Sequence, residues 1–231
     1  MKLRIAVVLL FFVGAMSVAR ADQTKTDTVE RLQSATETIQ QITDAPDKGI
    51  PDEVFKGAKC VAVVPSMIKG AFIVGGKHGR GVSTCRLPDG KWSAPAFFTV
   101  TGGSFGLQIG GQAVDLVMLI MNQDGMKSLL SSEFKLGADA SVAAGPVGRH
   151  AGADTDWKMK AQVLSYSRAR GIFAGLELNG AVVKQDKDAT REFYGRMVTF
   201  DATLKGEIPA PKNAYPFLST LAKWAKEASK K

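Results

Sequence analysis

Few residues of this chain have types and spacings that allow chemistry. The two histidines, His78 and His150, lie 72 positions apart, His78 between Lys77 and Gly79 and His150 between Arg149 and Ala151. A zinc site needs three or four clustered Cys, His or carboxylate ligands, so no metal site is expected. Ser104, in Thr101-Gly-Gly-Ser104-Phe-Gly, has glycine around it but no Gly-x-Ser-x-Gly elbow. It reads as a turn residue. Gly75-Gly76-Lys77-His78-Gly79-Arg80-Gly81 offers free backbone amides beside Lys77 and Arg80, the makings of an anion cradle. It lacks the Gly-Lys-Ser/Thr ending of a P-loop and falls between two strands, with no helix dipole. A solvated hairpin turn is the leading reading and an anion site the alternative. The acidic pairs Asp154/Asp156 and Asp186/Asp188 read as loop and cap chemistry, with Asp188 as a helix N-cap. No catalytic residue, metal ligand or cofactor is predicted.

The elements that must carry these residues are legible in part. Val29, Leu32, Ala35, Ile39 and Ile42 recur at three- and four-residue steps, which predicts an amphipathic helix over 22–44, ended by Pro46. A short helix follows over 51–58, with proline at its start and Asp52 and Glu53 in its first turn. Strands are expected at 60–64 (stopped by Pro65), 71–74, 82–87 and 91–101, the last two joined by the Pro88-Asp89-Gly90 turn. Glycine pairs at 102–103 and 110–111 break the next segment. Val114 to Met121 reads as a buried strand, and 126–131 as a short helix. The small-residue run 134–144 is expected to be extended, with close backbone approach at Gly145 and Gly110. Trp157, Met159, Ala161 and Val163 alternate with polar residues as a half-buried strand. Asn179-Gly180 predicts a type I′ hairpin between 171–178 and 181–185. Helices are expected over 188–196 and 216–231. The fold class is α+β: a single β-rich domain of mostly antiparallel strands with flanking helices at both ends.

The first 21 residues read as a secretory leader. Lys2 and Arg4 precede an apolar run from Ile5 to Val13, and Ala19-Arg20-Ala21 supplies a cleavage pattern that leaves Asp22 at the mature N-terminus. The run is shorter than the roughly 20 apolar residues a membrane span needs. Export to the periplasm or the exterior is therefore expected. Losing Lys2, Arg4 and Arg20 takes the formal charge from +8 to +5. That suits an anionic surface and falls short of a dedicated nucleic-acid binder. In an exported chain, Cys60 and Cys85 favour a cross-strand disulfide over two buried thiols, worth roughly 3 kcal/mol in the chain-entropy picture.

The region from Ala58 to Gly195 carries a series of blocks: Ala58-Lys59-Cys60-Val61; Gly75 to Gly81; Lys91-Trp92-Ser93-Ala94-Pro95-Ala96-Phe97; Gly102 to Gly110; Leu136 to Arg149; Tyr166-Ser167-Arg168-Ala169-Arg170-Gly171-Ile172-Phe173-Ala174-Gly175; and Phe193-Tyr194-Gly195. In this order they resemble the SYLF domain, also called the Ysc84-type actin-binding domain. The resemblance implies a non-catalytic lipid-binding module. Eukaryotic members are tied to phosphoinositide membranes and to actin. An exported member is not expected to meet actin, so the transferable property is affinity for anionic phospholipid or another amphiphile. In eukaryotic relatives membrane contact is attributed to an amphipathic segment that corresponds here to Ile50–Lys59, with Lys56 and Lys59 as its cations. The expected organisation is a leader (1–21), an N-terminal helix (22–45), the SYLF-like domain (50–200), and a linker with a C-terminal helix (201–231).

Three functions follow as expectations. The first is an exported lipid-surface binder that uses Lys56, Lys59, Lys69, Lys77 and Arg80. Its C-terminal helix would either dock on the protein's own core or lie in the interface with Trp224 at headgroup depth. The second is an envelope structural or stress protein acting through a protein partner. The third, an enzyme, requires Ser104, His150 and an acid to converge.

Overall fold

The structure, a computed structural model, describes residues 27–43, 49–71, 74–105, 110–146, 160–169, 172–174 and 178–230. The expected leader with its Ala21–Asp22 junction, the Asp154/Asp156 pair, His150, Trp157 and Met159 lie outside these residues.

Apolar runs and alternating segments form nine strands among the described residues: β1 (Cys60–Ala71), β2 (Val74–Cys85), β3 (Ala96–Phe105), β4 (Gly110–Ile120), β5 (Glu133–Lys135), β6 (Val142–Ala144), β7 (Val163–Ala169), β8 (Ile172–Ala174) and β9 (Val182–Gln185). They make one sheet in the order β5-β9-β3-β2-β1-β4-β7-β6, with β8 also on β7. Every pairing is antiparallel except β6 with β7. The helices are α1 (27–43), α2 (Asp52–Gly57), α3 (Gln123–Leu130), α4 (Lys187–Tyr194), α5 (Phe200–Leu204) and α6 (Tyr215–Ala228). The α+β class is as the sequence implies.

Each face of the sheet buries its own core. On one face Val61, Val63, Val82, Phe97, Val117 and Leu119 meet Leu32, Ala35, Ile39 and Ile42 of α1, Val54 and Phe55 of α2, and Phe217, Leu221 and Trp224 of α6. On the other, Ala62, Val64, Met67, Phe98, Leu116 and Met118 meet Leu129 of α3, Phe200 and Leu204 of α5, and Phe134 of β5. Covering both faces explains why β7 is buried nearly throughout and does not alternate.

Pro65 does not stop β1. Val64 pairs with Leu116 and Met67 with Val114, so Pro65 and Ser66 together face Asp115. This is a bulge, where a proline's missing N–H is tolerated. Ser66 takes φ +49°, and its N–H donates to Asp115 Oδ1 at 2.9 Å. The extra residue shifts side-chain parity, so Val64 and Met67 enter the same core.

The glycine tracts also differ from expectation. Gly75 to Gly81 form no hairpin turn; they lie inside β2, and Gly102–Gly103 and Gly110–Gly111 lie inside β3 and β4. Glycine here weakens strand propensity without ending the strand, because the ladder on both sides holds the backbone extended. In register, Gly103, Gly76, Gly70 and Gly111 form a row across β3-β2-β1-β4. Two positions along the strands, on the same face, the row Thr101, His78, Ile68 and Ala113 is exposed, with Ile68 at 62%. Among the described residues, helix cover on this face therefore stops short of these rows. Residues 91–95 precede β3 as an irregular stretch in which Trp92 bridges Arg86.

Asn179–Gly180 makes a turn but no hairpin: β8 pairs with β7, while β9 pairs with β3 and β5. Only Gly180 of the pair takes positive φ, +79°, and type I′ needs both. The close approach expected at Gly145 is present. A Cβ there would run into the Tyr166 ring. Burial raises the Tyr166 hydroxyl pKa above its usual range, and the same holds for Tyr194, whose hydroxyl donates to Pro95 O at 2.6 Å.

Candidate functional site

The five cations proposed for lipid contact do not form one patch. Lys56 sits in α2 and bonds Glu53 at 2.8 Å. Lys59, exposed, leads into β1. Lys69 and Lys77 are Cα partners at the far end of the β1–β2 ladder. At about 3.3 Å per residue, Lys59 and Lys69 are separated by roughly 30 Å along β1. Lys77 is only 5% exposed, on the face opposite α1, which withdraws it from any surface contact. Of Lys69 only the strand register is described.

Arg80 belongs to a charged clamp that local chemistry did not foretell. Arg31 of α1, its side chain 4% exposed, donates from Nη1 to Asp186 Oδ2 at 3.0 Å. Asp186 also caps α4, accepting from Ala189 N at 3.0 Å, so the cap is Asp186 and not the expected Asp188. A cap two residues earlier suits a helix that begins at Lys187. Arg80 stands 3.9 Å from both Asp27 and Asp186. Arg31 Cζ lies 5.4 Å from the Phe97 ring centre. Burial lowers the Arg31 pKa first and the charge of Arg80 second, while Asp186 acts in the opposite direction. With two carboxylates beside it, Arg80 joins α1 to the sheet.

The opposite end of β1 is different. The Pro88-Asp89-Gly90 turn, closed by Leu87 N–H donating to Lys91 O at 2.7 Å, brings Trp92 back against Arg86. The Arg86 guanidinium lies 4.6 Å from the Trp92 ring centre and 5.9 Å from that of Phe55. Phe55, from α2, stacks on Trp224 of α6 with centroids 3.5 Å apart and planes 10° apart. Trp224 is 4% exposed. Docking on the protein's own core is thus the arrangement of α6, and the headgroup-depth placement of Trp224 does not occur. Beside this stack Cys60 and Cys85 are direct Cα partners and their sulfurs are joined. Arg86 went unnoticed in the sequence. The turn motif alone places it opposite Trp92, and the Cys60–Cys85 register places it opposite Lys59.

Among the described residues no group of three His, Cys, Asp or Glu side chains could hold a metal ion. No helix of the described residues is long and apolar enough to cross a membrane. The Ser104–His150 convergence required of an enzyme falls on His150, outside the described residues.

The domain these elements define is a two-faced, mostly antiparallel sheet with an aromatic and cationic end. The family described as "Ysc84: Las17-binding protein actin regulator" matches residues 101–224, more than half of the chain, and the chain belongs to this family. LAS seventeen-binding protein 3 of Saccharomyces cerevisiae is 37% identical over 180 residues, covering 76% of this chain and 39% of that protein. SH3 domain-containing YSC84-like protein 1 of Mus musculus is 36% identical over 172 residues, covering 74% of this chain and 50% of that one. The human protein of the same name is 35% identical over the same length. The chain spans 39% to 50% of the length of these relatives.

Proposed function

We propose that the mature chain is an exported, non-catalytic module that binds the anionic phospholipid surface of the cell envelope. The observation that carries this is the presentation of the Ile50–Lys59 segment. Lys59 is exposed and Lys56 partly so, while Val54 and Phe55 of the same segment are buried under α6. Contact is then made by cations at the headgroups, with no insertion of apolar side chains, and each cation close to the surface adds about 1 kcal/mol.

Such binding is electrostatic. Residues 22–231 should sediment with vesicles containing phosphatidylserine, remain free of neutral phosphatidylcholine vesicles, and be released at roughly 1 M salt, where the screening length is about 3 Å. Equal binding to neutral vesicles, or none to either, would sink the proposal. Export and cleavage are tested separately: the chain should be recovered outside the cytoplasm with an intact mass that begins at Asp22; recovery in the cytoplasm would contradict export, and retention of Met1 would contradict cleavage.

A second reading is favoured by the relatives' names, which record a protein partner, Las17, for those proteins. On that reading this chain acts as an envelope protein through protein contacts. It would be supported by a stable partner on purification together with no affinity for anionic vesicles.

A further inference from the structure

Lys59 and Arg86 stand directly opposite each other across the β1–β2 ladder. Their register continues Cys60–Cys85, and the Arg86 N–H donates to Lys59 O at 2.8 Å. Directly opposed residues of antiparallel strands project on the same face, with Cβ atoms about 5 Å apart, and like charges there repel. No described carboxylate forms an ion pair with either. The carboxylates on neighbouring elements that do pair, Glu53 and Asp89, hold Lys56 and Lys91.

Arg86 is not free to escape into water. Its guanidinium is stacked on Trp92, and its Nε is sealed from solvent without an acceptor. The Trp92 Nε1 beside it is likewise buried without an acceptor. A planar cation is therefore fixed in orientation and partly desolvated, next to a second cation, with no ion-paired carboxylate among the described residues. A guanidinium held in this way has little rotamer freedom left to lose when it grips two oxygens at once.

From this geometry we infer that Arg86 and Lys59 form a binding site for the phosphate of a phospholipid headgroup, with Arg86 as the anchor. The site rests on the lipid-surface reading above and names its recognition element. Two facing cations match a phosphate monoester, which approaches two negative charges at neutral pH, better than a diester with one. The group recognised is accordingly a terminal, unsubstituted phosphate on the headgroup, and phosphatidic acid is the simplest lipid that carries one.

The test compares vesicles of phosphatidylcholine with phosphatidic acid against vesicles brought to the same surface charge with phosphatidylserine. The full mature chain is used, with the variants Lys59→Glu, Arg86→Lys and Lys205→Glu. Lys205, the C-cap just past α5, controls for net charge alone. Wild type should prefer the phosphatidic acid vesicles. Lys59→Glu should weaken that binding about tenfold or more. Arg86→Lys keeps its charge but should lose the preference between the two vesicle types. Lys205→Glu should stay within about twofold of wild type, and melting curves would confirm that all variants fold. If wild type binds both anionic vesicles and neither Lys59→Glu nor Arg86→Lys changes anything, the site is overturned while the surface reading stands. If wild type binds neither, both fall. Inorganic phosphate alone is the last arm. Saturable quenching of tryptophan fluorescence by phosphate, without preference for phosphatidic acid vesicles, would assign the site to a soluble phosphate and overturn the headgroup proposal.

Discussion

Trp224→Ala should cost about 3–5 kcal/mol of stability, the range for truncating a large buried aromatic side chain. Trp224 is 4% exposed and lies flat on Phe55 with ring centres 3.5 Å apart. It is the contact through which α6 holds α2. The other anchors of α6, Phe217 and Leu221, are fully buried and remain in the variant. The helix should therefore stay attached by its first half while its second half loosens. The loss would travel further, since Phe55 also faces Trp92 at 6.0 Å and flanks the Arg86 guanidinium. Urea unfolding of wild type and variant measures it. A difference under about 1 kcal/mol would mean that Trp224 does not pack as described.

Gly81→Ala, a change of one methyl group, is expected to cost about 3 kcal/mol, at the upper end for overpacking. A Cβ at Gly81 would stand 2.7 Å from the Val63 carbonyl oxygen and against the Phe98 ring. The ring can turn, but the carbonyl is part of a central strand and cannot withdraw without disturbing the ladder. Gly76→Ala, five positions earlier in β2, is the internal comparison. Its added Cβ meets nothing within 4 Å. That variant should be neutral or gain up to about 1 kcal/mol from a stiffer unfolded chain. Thermal melts of the pair decide the matter, and equal melting temperatures would refute the packing argument.

These two glycines show where the sequence was readable and where it was not. Leu32, Ala35, Ile39 and Ile42 repeat at helical spacing and do bury one side of α1. Leu116 to Ile120 is continuously apolar because both faces of β4 are covered. Such patterns are local and survive without tertiary knowledge. The glycine tracts were misread because the conformation of a glycine is set by its neighbours in space. Gly76 is held extended by Gly70 and Gly103, which come from other strands. Pro65 leaves its strand unbroken for a similar reason: the bulge that admits it is completed by Asp115, from β4. The Arg31–Asp186 bond joins residues 155 positions apart, and no local pattern announces it. The Arg86–Trp92 stack, in contrast, follows from the turn at 88–90.

The rows of exposed and glycine residues across the middle strands bear on mechanics. Where α1, α2 and α6 cover the sheet, a bend must compress one packed layer and stretch another. Bending stiffness grows steeply with thickness, so that end of the domain behaves as a thick beam. Past Thr101, His78, Ile68 and Ala113 no helix among the described residues covers this face, and Gly76 and Gly103 put no side chain in its place. There the sheet is thinner by a full layer. The domain is thus built as a cantilever, clamped at the disulfide end and compliant at the glycine end. Load applied at its tip would be taken up as curvature of β1–β4 before it reached the cation pair at the root.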